Sequence, residues 1–122
     1  MVSNRSSTVA GFPNLFLLDG PNTGTGHQSQ LYMIESQHRY VLDALRVMRR
    51  TGARVVEVRP EAQAEYNRRL QGRMARTVWL RGGCSSWYLD ERGRNVTLWP
   101  GFAPAFRRSL RRFRTAEYAL AR

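Results

Sequence analysis

A glycine-rich segment, "DGPNTGTGH", occupies residues 19–27 and contains residue types suited to holding an anionic ligand. Its glycines allow the backbone to approach a ligand closely, and Asn22, Thr23 and Thr25 offer short polar side chains. A helical pattern follows, and the free N–H groups and dipole of a helix N-terminus favour negative charge. The same composition also suits a tight structural turn with a helix cap. From these residues alone, both interpretations stay open.

Two known phosphate-binding motifs are excluded for this segment. No Gly-Lys-Ser/Thr follows it, so it is not a P-loop. Gly24-Thr25-Gly26 is followed by Ser29 where the dinucleotide fingerprint requires its third glycine. A ligand here would therefore be held in another way.

The other reactive side chains form no constellation that identifies a reaction. Cys84 is the single cysteine and is interpreted as structural, because no base is identifiable near it. His38 falls on the apolar side of a predicted helix and is expected in the core. His27 is interpreted either as a cap or surface group or as a hydrogen-bond donor to a ligand. The catalytic residues stay unknown, and no metal site is expected.

A buried strand and a long helix are predicted to position the glycine-rich segment. "FPNLFLL" at 12–18 does not alternate, which is typical of a strand buried on both faces. Residues 31–50 have helical periodicity with a C-cap at Gly52. The side chains expected on the buried face of that helix are Leu31, Ile34, Val41, Leu45 and Met48. A strand buried on both faces needs neighbouring strands, so we expect the chain to be the end of a larger α/β protein.

The remaining sequence predicts smaller elements. Residues 1–11 are small and polar and predict a loose tail. Beyond the strand–loop–helix unit at 12–52, the segment 53–122 predicts further helices and strands. These are a strand within 53–60, a helix from Pro60, strands at 77–80, 86–90 and 95–99 with a hairpin turn at 91–94, and a basic helix at 104–114.

The chain is strongly basic, with a formal net charge of +11 that attracts polyanions in general. The last helix has an apolar stripe of Phe106, Leu110 and Phe113, interpreted as a docked face with solvated arginines. The alternative is a small basic module that binds nucleic acid or an acidic partner. Nucleic acid is the less expected partner, because the aromatic residues do not interleave with arginine in an RNA-binding pattern. No membrane span or secretory signal is seen, which predicts a cytoplasmic protein without membrane contact.

Four stretches together resemble the C-terminal part of flavin-dependent monooxygenases of the Baeyer–Villiger type, including 4-hydroxyacetophenone monooxygenase-like proteins. They are "GFPNLFLLDGPNTGTGH", "YMIESQHRYVLDAL", "VEVRPEAQAEYNRRLQGRM" and "GGCSSWYLDERGRNVTLWPGF". The resemblance implies an α/β fold, in which a C-terminal βα unit of a FAD-binding Rossmann-like domain precedes a helix, a small β-hairpin and a basic terminal helix. It also implies FAD as the bound cofactor, NADPH as the reductant, and oxygenation of a ketone or a heteroatom.

The resemblance further implies roles for particular residues. The residues that it places beside the flavin ring are Gly20, Pro21, Asn22, Thr23, Gly24, Thr25, Gly26 and His27. Trp87 would lie in a loop that folds over the nicotinamide cofactor, or else pack within the hairpin. Gln28 departs from the family, which more often has asparagine at that position.

Both dinucleotide fingerprints of the family are absent from the 122 residues. We therefore expect a fragment, a truncated gene product or one piece of a split enzyme, inactive alone and without tight binding of FAD or NADPH. Its partners would be the missing N-terminal FAD and NADP domains, in the same or a separate chain. A non-functional remnant is the remaining alternative.

Overall fold

The computed structural model describes residues 2–24, 30–74, 99 and 103–122. Its regular elements in chain order are helix α1 (Gln30–Thr51), strand β1 (Val55–Val58), helix α2 (Pro60–Met74), helix α3 (Ala103–Ser109), a 3₁₀ turn (Thr115–Glu117) and strand β2 (Tyr118–Ala121). The described part is therefore mixed α/β. The strands predicted at 77–80 and 86–90, the hairpin turn at 91–94 and all of the strand predicted at 95–99 except Trp99 lie outside the described residues.

Local signals account for the bounds of the two long helices. Gly52 adopts a φ of +74°, which a glycine tolerates without steric cost, and it follows the last residue of α1. Pro60 is the first residue of α2, where its missing N–H would be unpaired in any helix. These predictions from the sequence are confirmed. No helix of the described part is long and apolar enough to cross a membrane.

Strands β1 and β2 form an antiparallel pair, with Val55 opposite Ala121 and Val58 opposite Tyr118. The sequence did not predict β2. The predicted basic helix at 104–114 is also shorter than expected. Helix α3 ends at Ser109. Beyond it the Phe113 N–H donates to Asp43 Oδ2 at 2.6 Å, so a tertiary contact replaces the helical pattern there.

The core lies where the two strands and three helices meet. Phe113 packs between the rings of Tyr40 and Tyr118, with centroid distances of 5.5 Å and 4.2 Å. The apolar stripe predicted on the last helix is buried, but against this chain's own core. The buried core residues are Met33, Tyr40, Ala44, Val47, Val56, Val58, Leu70, Trp99, Ala103, Phe106, Leu110, Phe113 and Tyr118.

The N-terminal segment is packed, so the prediction of a loose tail over residues 1–11 is wrong for its described part. Asn4 forms an isolated bridge with Thr8, and the residues from Ser3 to Val9 are largely buried. Arg5 donates from Nε and Nη2 to the two carboxylate oxygens of Glu117 at 2.8 Å and 2.7 Å. Several of the polar residues that suggested a loose tail hydrogen-bond to the rest of the chain: Asn4 and Arg5 bond to Glu117, and Thr8 bonds to Tyr118.

The predicted strand at 12–18 does not form in the described structure. Phe12, Leu15 and Leu18 are 58%, 42% and 44% exposed. Asn14 of this run bonds to β1, since its N–H donates to the Val56 carbonyl oxygen at 2.9 Å, but no strand pairing follows along the run, and these three side chains stay exposed. The strand of the predicted Rossmann-like unit is thus absent here, although its helix is present.

The core side of helix α1 is not the side that the apolar spacing predicted. Of the predicted side chains, Met48 packs against the core, and Ile34 and Val41 are half-buried. Leu31, Leu42 and Leu45 are 71%, 52% and 50% exposed, and His38 is also exposed. The prediction of a core histidine is therefore wrong. The side that faces the core carries Met33, Ser36, Gln37, Tyr40, Ala44 and Val47. Two of these are polar, and their hydrogen bonds compensate for their burial.

Candidate functional site

The described half of the glycine-rich segment, residues 19–24, is a compact turn stabilised by its own side chains. Asp19 and Asn22 adopt φ values of 57° and 60°, a region that aspartate and asparagine tolerate better than most residues. The Thr23 hydroxyl lies 2.7 Å from the Gly20 carbonyl oxygen and 3.1 Å from Asp19 Oδ1, both acceptors for its proton. The side chains of Asn22 and Thr23 are almost fully buried.

Two glutamines of α1 fix the position of this turn. Gln37 is fully buried, and its Oε1 accepts the Asp19 N–H at 2.7 Å. Its Nε2 donates to the Ser6 carbonyl oxygen at 2.7 Å, with the Leu17 carbonyl oxygen at 3.3 Å. Gln30 Nε2 donates to Asp19 Oδ1 and lies 3.2 Å from the Thr23 carbonyl oxygen. The turn is thus attached to the first two turns of the helix.

Backbone packing places further constraints on the turn. A Cβ atom at Gly20 would collide with the carbonyl oxygen of Ser6, so the chain requires glycine at this position. The Gly24 carbonyl oxygen accepts the Trp99 N–H at 2.9 Å, which joins the turn to a residue four positions before the start of α3. The turn therefore contacts both the N-terminal segment and the C-terminal region.

The structure brings five of the predicted site residues together and leaves four undescribed. Residues 20–24 share one turn, whereas Thr25, Gly26, His27 and Trp87 lie outside the described residues. The polar side chains of that turn point into the protein, so a ligand beside it would contact chiefly its backbone. Sequence reasoning missed Asp19 and the two glutamines. The seven-residue spacing of Gln30 and Gln37, which places them on one side of a helix, was the available signal.

A second polar cluster attaches the N-terminal segment to the end of the chain. Asn4 Nδ2 donates to Glu117 Oε1 at 3.0 Å, beside the Arg5 pair. Burial alone would raise the pKa of Glu117, but the hydrogen bonds from Arg5 and Asn4 outweigh it and lower that pKa. The hydroxyls of Tyr40 and Tyr118 lie 2.8 Å apart, and burial raises the pKa of Tyr40 well above its ordinary value. Both phenols therefore act as neutral hydrogen-bonding groups.

No group of three or more histidine, cysteine, aspartate or glutamate side chains in the described ranges is arranged to hold a metal ion. The described residues also form no nucleophile–base pair in the turn. What the arrangement offers is a rigid backbone surface between a helix and the terminal region.

Comparison with known proteins gives this surface its context. No protein-family model matches the chain. A Baeyer–Villiger monooxygenase of Pseudomonas aeruginosa is 54% identical over 117 residues, and one of Streptomyces coelicolor is 50% identical over 123 residues. The chain is homologous to Baeyer–Villiger monooxygenases over almost its whole length. The alignments cover 95% and 100% of this chain but only 22% and 24% of the relatives, so the chain spans about a quarter of the length of these Baeyer–Villiger enzymes.

Solved structures of monooxygenases share the fold of this chain. An oxidized steroid monooxygenase bound to NADP matches 99% of this chain and 23% of its own with a TM-score of 0.80, at 22% identity. The complex of OTEMO with FAD and NADP matches 99% of this chain and 24% of its own with a TM-score of 0.78, at 20% identity. At these identities the structural matches establish the fold alone.

Proposed function

We propose that this chain is the C-terminal segment of a FAD- and NADPH-dependent monooxygenase that inserts oxygen next to a ketone or into a heteroatom. The observation that carries the proposal is the 54% identity to the Pseudomonas aeruginosa Baeyer–Villiger monooxygenase across almost the whole chain. The alignment covers 95% of the chain and therefore includes the glycine-rich turn and the elements that hold it. The segment's role in the proposal is to line the flavin ring and part of the substrate pocket.

The described turn offers a ligand its backbone rather than its polar side chains. Asn22 and Thr23 direct their side chains inward and are buried, while Gly20, Pro21 and Gly24 are only partly buried. We assign the contact with the flavin to the backbone of this turn. Its continuation through Thr25, Gly26 and His27 and the more distant Trp87 complete the proposed cofactor-binding set.

FAD, when bound, supplies the redox chemistry by accepting hydride from NADPH and passing electrons to dioxygen. The chain's own contribution is positional. The hydrogen bond between Gln37 and the Asp19 N–H fixes the turn against α1. The buried side chains of the turn exclude water from the space between the turn and the core. A rigid, preorganised surface of this kind places reactants without reorganisation during the reaction.

Uncovered apolar surface supports the proposal that further domains pack on this chain. Leu31 and Leu45 are exposed on α1, opposite its core side. Phe12, Leu15 and Leu18 are exposed on the segment before the turn, although monomeric proteins rarely expose large contiguous apolar patches. We infer that the missing N-terminal FAD and NADP domains, in the same or a separate chain, cover these residues.

Titration of FAD against two samples tests the proposal. The first is the purified 122-residue chain, for which we expect no stoichiometric FAD binding and no NADPH consumption. The second is the chain mixed with the Pseudomonas aeruginosa relative truncated before the matched region, for which we expect NADPH oxidation above that of the truncated enzyme alone. Stoichiometric FAD binding and NADPH turnover by the isolated chain would refute the proposed role as a segment.

A further inference from the structure

A groove of about 440 Å³ between α1 and α3 is a concave feature separate from the glycine-rich turn. Arginines line it from both helices, with Leu42, Leu110 and Pro104 as its apolar part. The arginines are Arg39 and Arg46 from α1 and Arg107, Arg108 and Arg111 from α3 and the turn after it. Its volume lies in the range of small-molecule sites.

Four of these arginines have no ion-pair partner among the described residues: Arg39, Arg46, Arg108 and Arg111 are exposed and form no described salt bridge. Arg107 differs, because its guanidinium lies 3.7 Å from the centroid of the Tyr32 ring. It also donates to Ser36 Oγ at 3.1 Å and pairs with Glu35 at 3.2 Å. Arg107 is therefore a fixed part of the groove, and the other four are available to a ligand.

The carboxylate in the groove does not neutralise these charges. Asp43 accepts the Phe113 N–H through Oδ2 at 2.6 Å and forms no described salt bridge with an arginine. Guanidinium groups that line one depression repel one another, although solvent and salt screen exposed charges. An anion in the groove would relieve that repulsion, and guanidinium forks match phosphate oxygens in geometry.

The spacing of the arginines indicates a ligand with more than one charge. Arg39 and Arg46 are seven residues apart on one side of α1, which corresponds to about 10 Å along the helix axis. Arg108 and Arg111 also line an adjoining groove that carries Arg112. The positive charge therefore continues from the groove along residues 108–112 and extends beyond one binding position.

We propose that the groove between α1 and α3 binds a small organic anion with two or more phosphoryl groups. The four unpaired guanidiniums contact the phosphoryl oxygens, and the apolar side chains contact the organic part. The proposal rests on the groove itself and is independent of the flavin assignment.

Calorimetric titration of the 122-residue chain with sodium tripolyphosphate tests the proposal, with inorganic phosphate as a singly phosphorylated comparison. We expect saturable binding of tripolyphosphate and at least tenfold weaker binding of phosphate. Replacing Arg39 and Arg111 by glutamine should weaken tripolyphosphate binding by about tenfold or more per arginine, the usual effect of losing a charge-assisted hydrogen bond. R46Q/R108Q is an independent second pair, and circular dichroism checks that each variant is folded.

A matched control separates a site from general attraction to a basic protein. Arg49 and Arg54 are exposed and line neither groove, so R49Q/R54Q has the same net charge as the groove variants. We expect it to keep the affinity of the original chain. Equal weakening by control and groove variants would overturn the proposal, as would absence of saturable binding. Binding of a single-stranded oligonucleotide without binding of tripolyphosphate would also overturn it, in favour of a nucleic-acid surface.

Discussion

Replacing Gln37 by methionine tests whether α1 holds the glycine-rich turn through one buried amide. Methionine has a similar length and a similar helix propensity, so the substitution mainly removes the hydrogen bonds. The Asp19 N–H and the Ser6 carbonyl oxygen, both 2.7 Å from the amide, lose their partners. An unsatisfied buried group costs about 1–3 kcal/mol, so we expect the free energy of unfolding to fall by about 3 kcal/mol. In a chain of this size, that corresponds to a melting temperature about 10 °C lower.

Urea unfolding followed by circular dichroism measures this loss, and Gln63→Met is the matched control. Gln63 lies on α2 and its side chain accepts a single described hydrogen bond, from the Ala10 N–H at 2.7 Å. We expect the control to lose about 1 kcal/mol or less. Amide exchange at Asp19 should also accelerate in Q37M. If Q37M loses no more stability than Q63M, the amide does not hold the turn and the reasoning is refuted.

Three further predictions concern the packing around the turn and the N-terminal segment. The folded-state pKa of Glu117 is lowered, so its pair with Arg5 stabilises the fold above a pH of about 4.5, and this stabilisation is lost as the pH falls below that value. Urea midpoints measured against pH should therefore decline less on the acid side in E117Q than in the original chain. Tyr118→Phe removes the hydroxyl contact with Tyr40 and should cost about 1–2 kcal/mol in thermal unfolding. An unchanged melting temperature would contradict a stabilising role for this hydrogen bond between the two hydroxyls. Gly20→Ala should cost about 1–3 kcal/mol in the same assay, because the added methyl group meets backbone; a neutral result would show that the turn is looser than described.

The long helices were predictable because their signals are local. Helical periodicity with Gly52 as cap predicted 31–50, and the structure has Gln30–Thr51. Pro60 likewise marked the start of α2. By contrast, β2 exists only through pairing with β1, far away in sequence, and "YALA" after a basic helix gives no comparable local signal. Strand pairing between distant segments is the kind of information that periodicity does not contain.

The orientation of α1 was not predictable from apolar spacing. The exposed side carries the leucines Leu31 and Leu45, whereas the side that meets the core includes Ser36 and Gln37. Those polar residues are buried because they hydrogen-bond to neighbouring segments and to the helix itself. The same cause explains why the loose-tail prediction for residues 1–11 was wrong.

The position of the candidate site was predictable, but the way in which it is held was not. Glycine content and the preceding apolar run identified residues 20–24 as a turn before a helix. A glutamine on an amphipathic helix usually faces solvent, so the seven-residue spacing of Gln30 and Gln37 did not by itself mark Gln37 as the residue that fixes the turn. The assignment of flavin contact to the turn stays a prediction.

The central claim is that this chain functions as the C-terminal segment of a Baeyer–Villiger monooxygenase. The most direct measurement is the NADPH oxidation rate of a chimera in which this chain replaces the matched region of the Pseudomonas aeruginosa relative, to which it is 54% identical. We predict that the chimera binds FAD and oxidises NADPH at a rate within about tenfold of the parent, a loss of at most about 1.4 kcal/mol in transition-state stabilisation. A folded chimera that binds no FAD, or that binds it without oxidising NADPH, would contradict the claim.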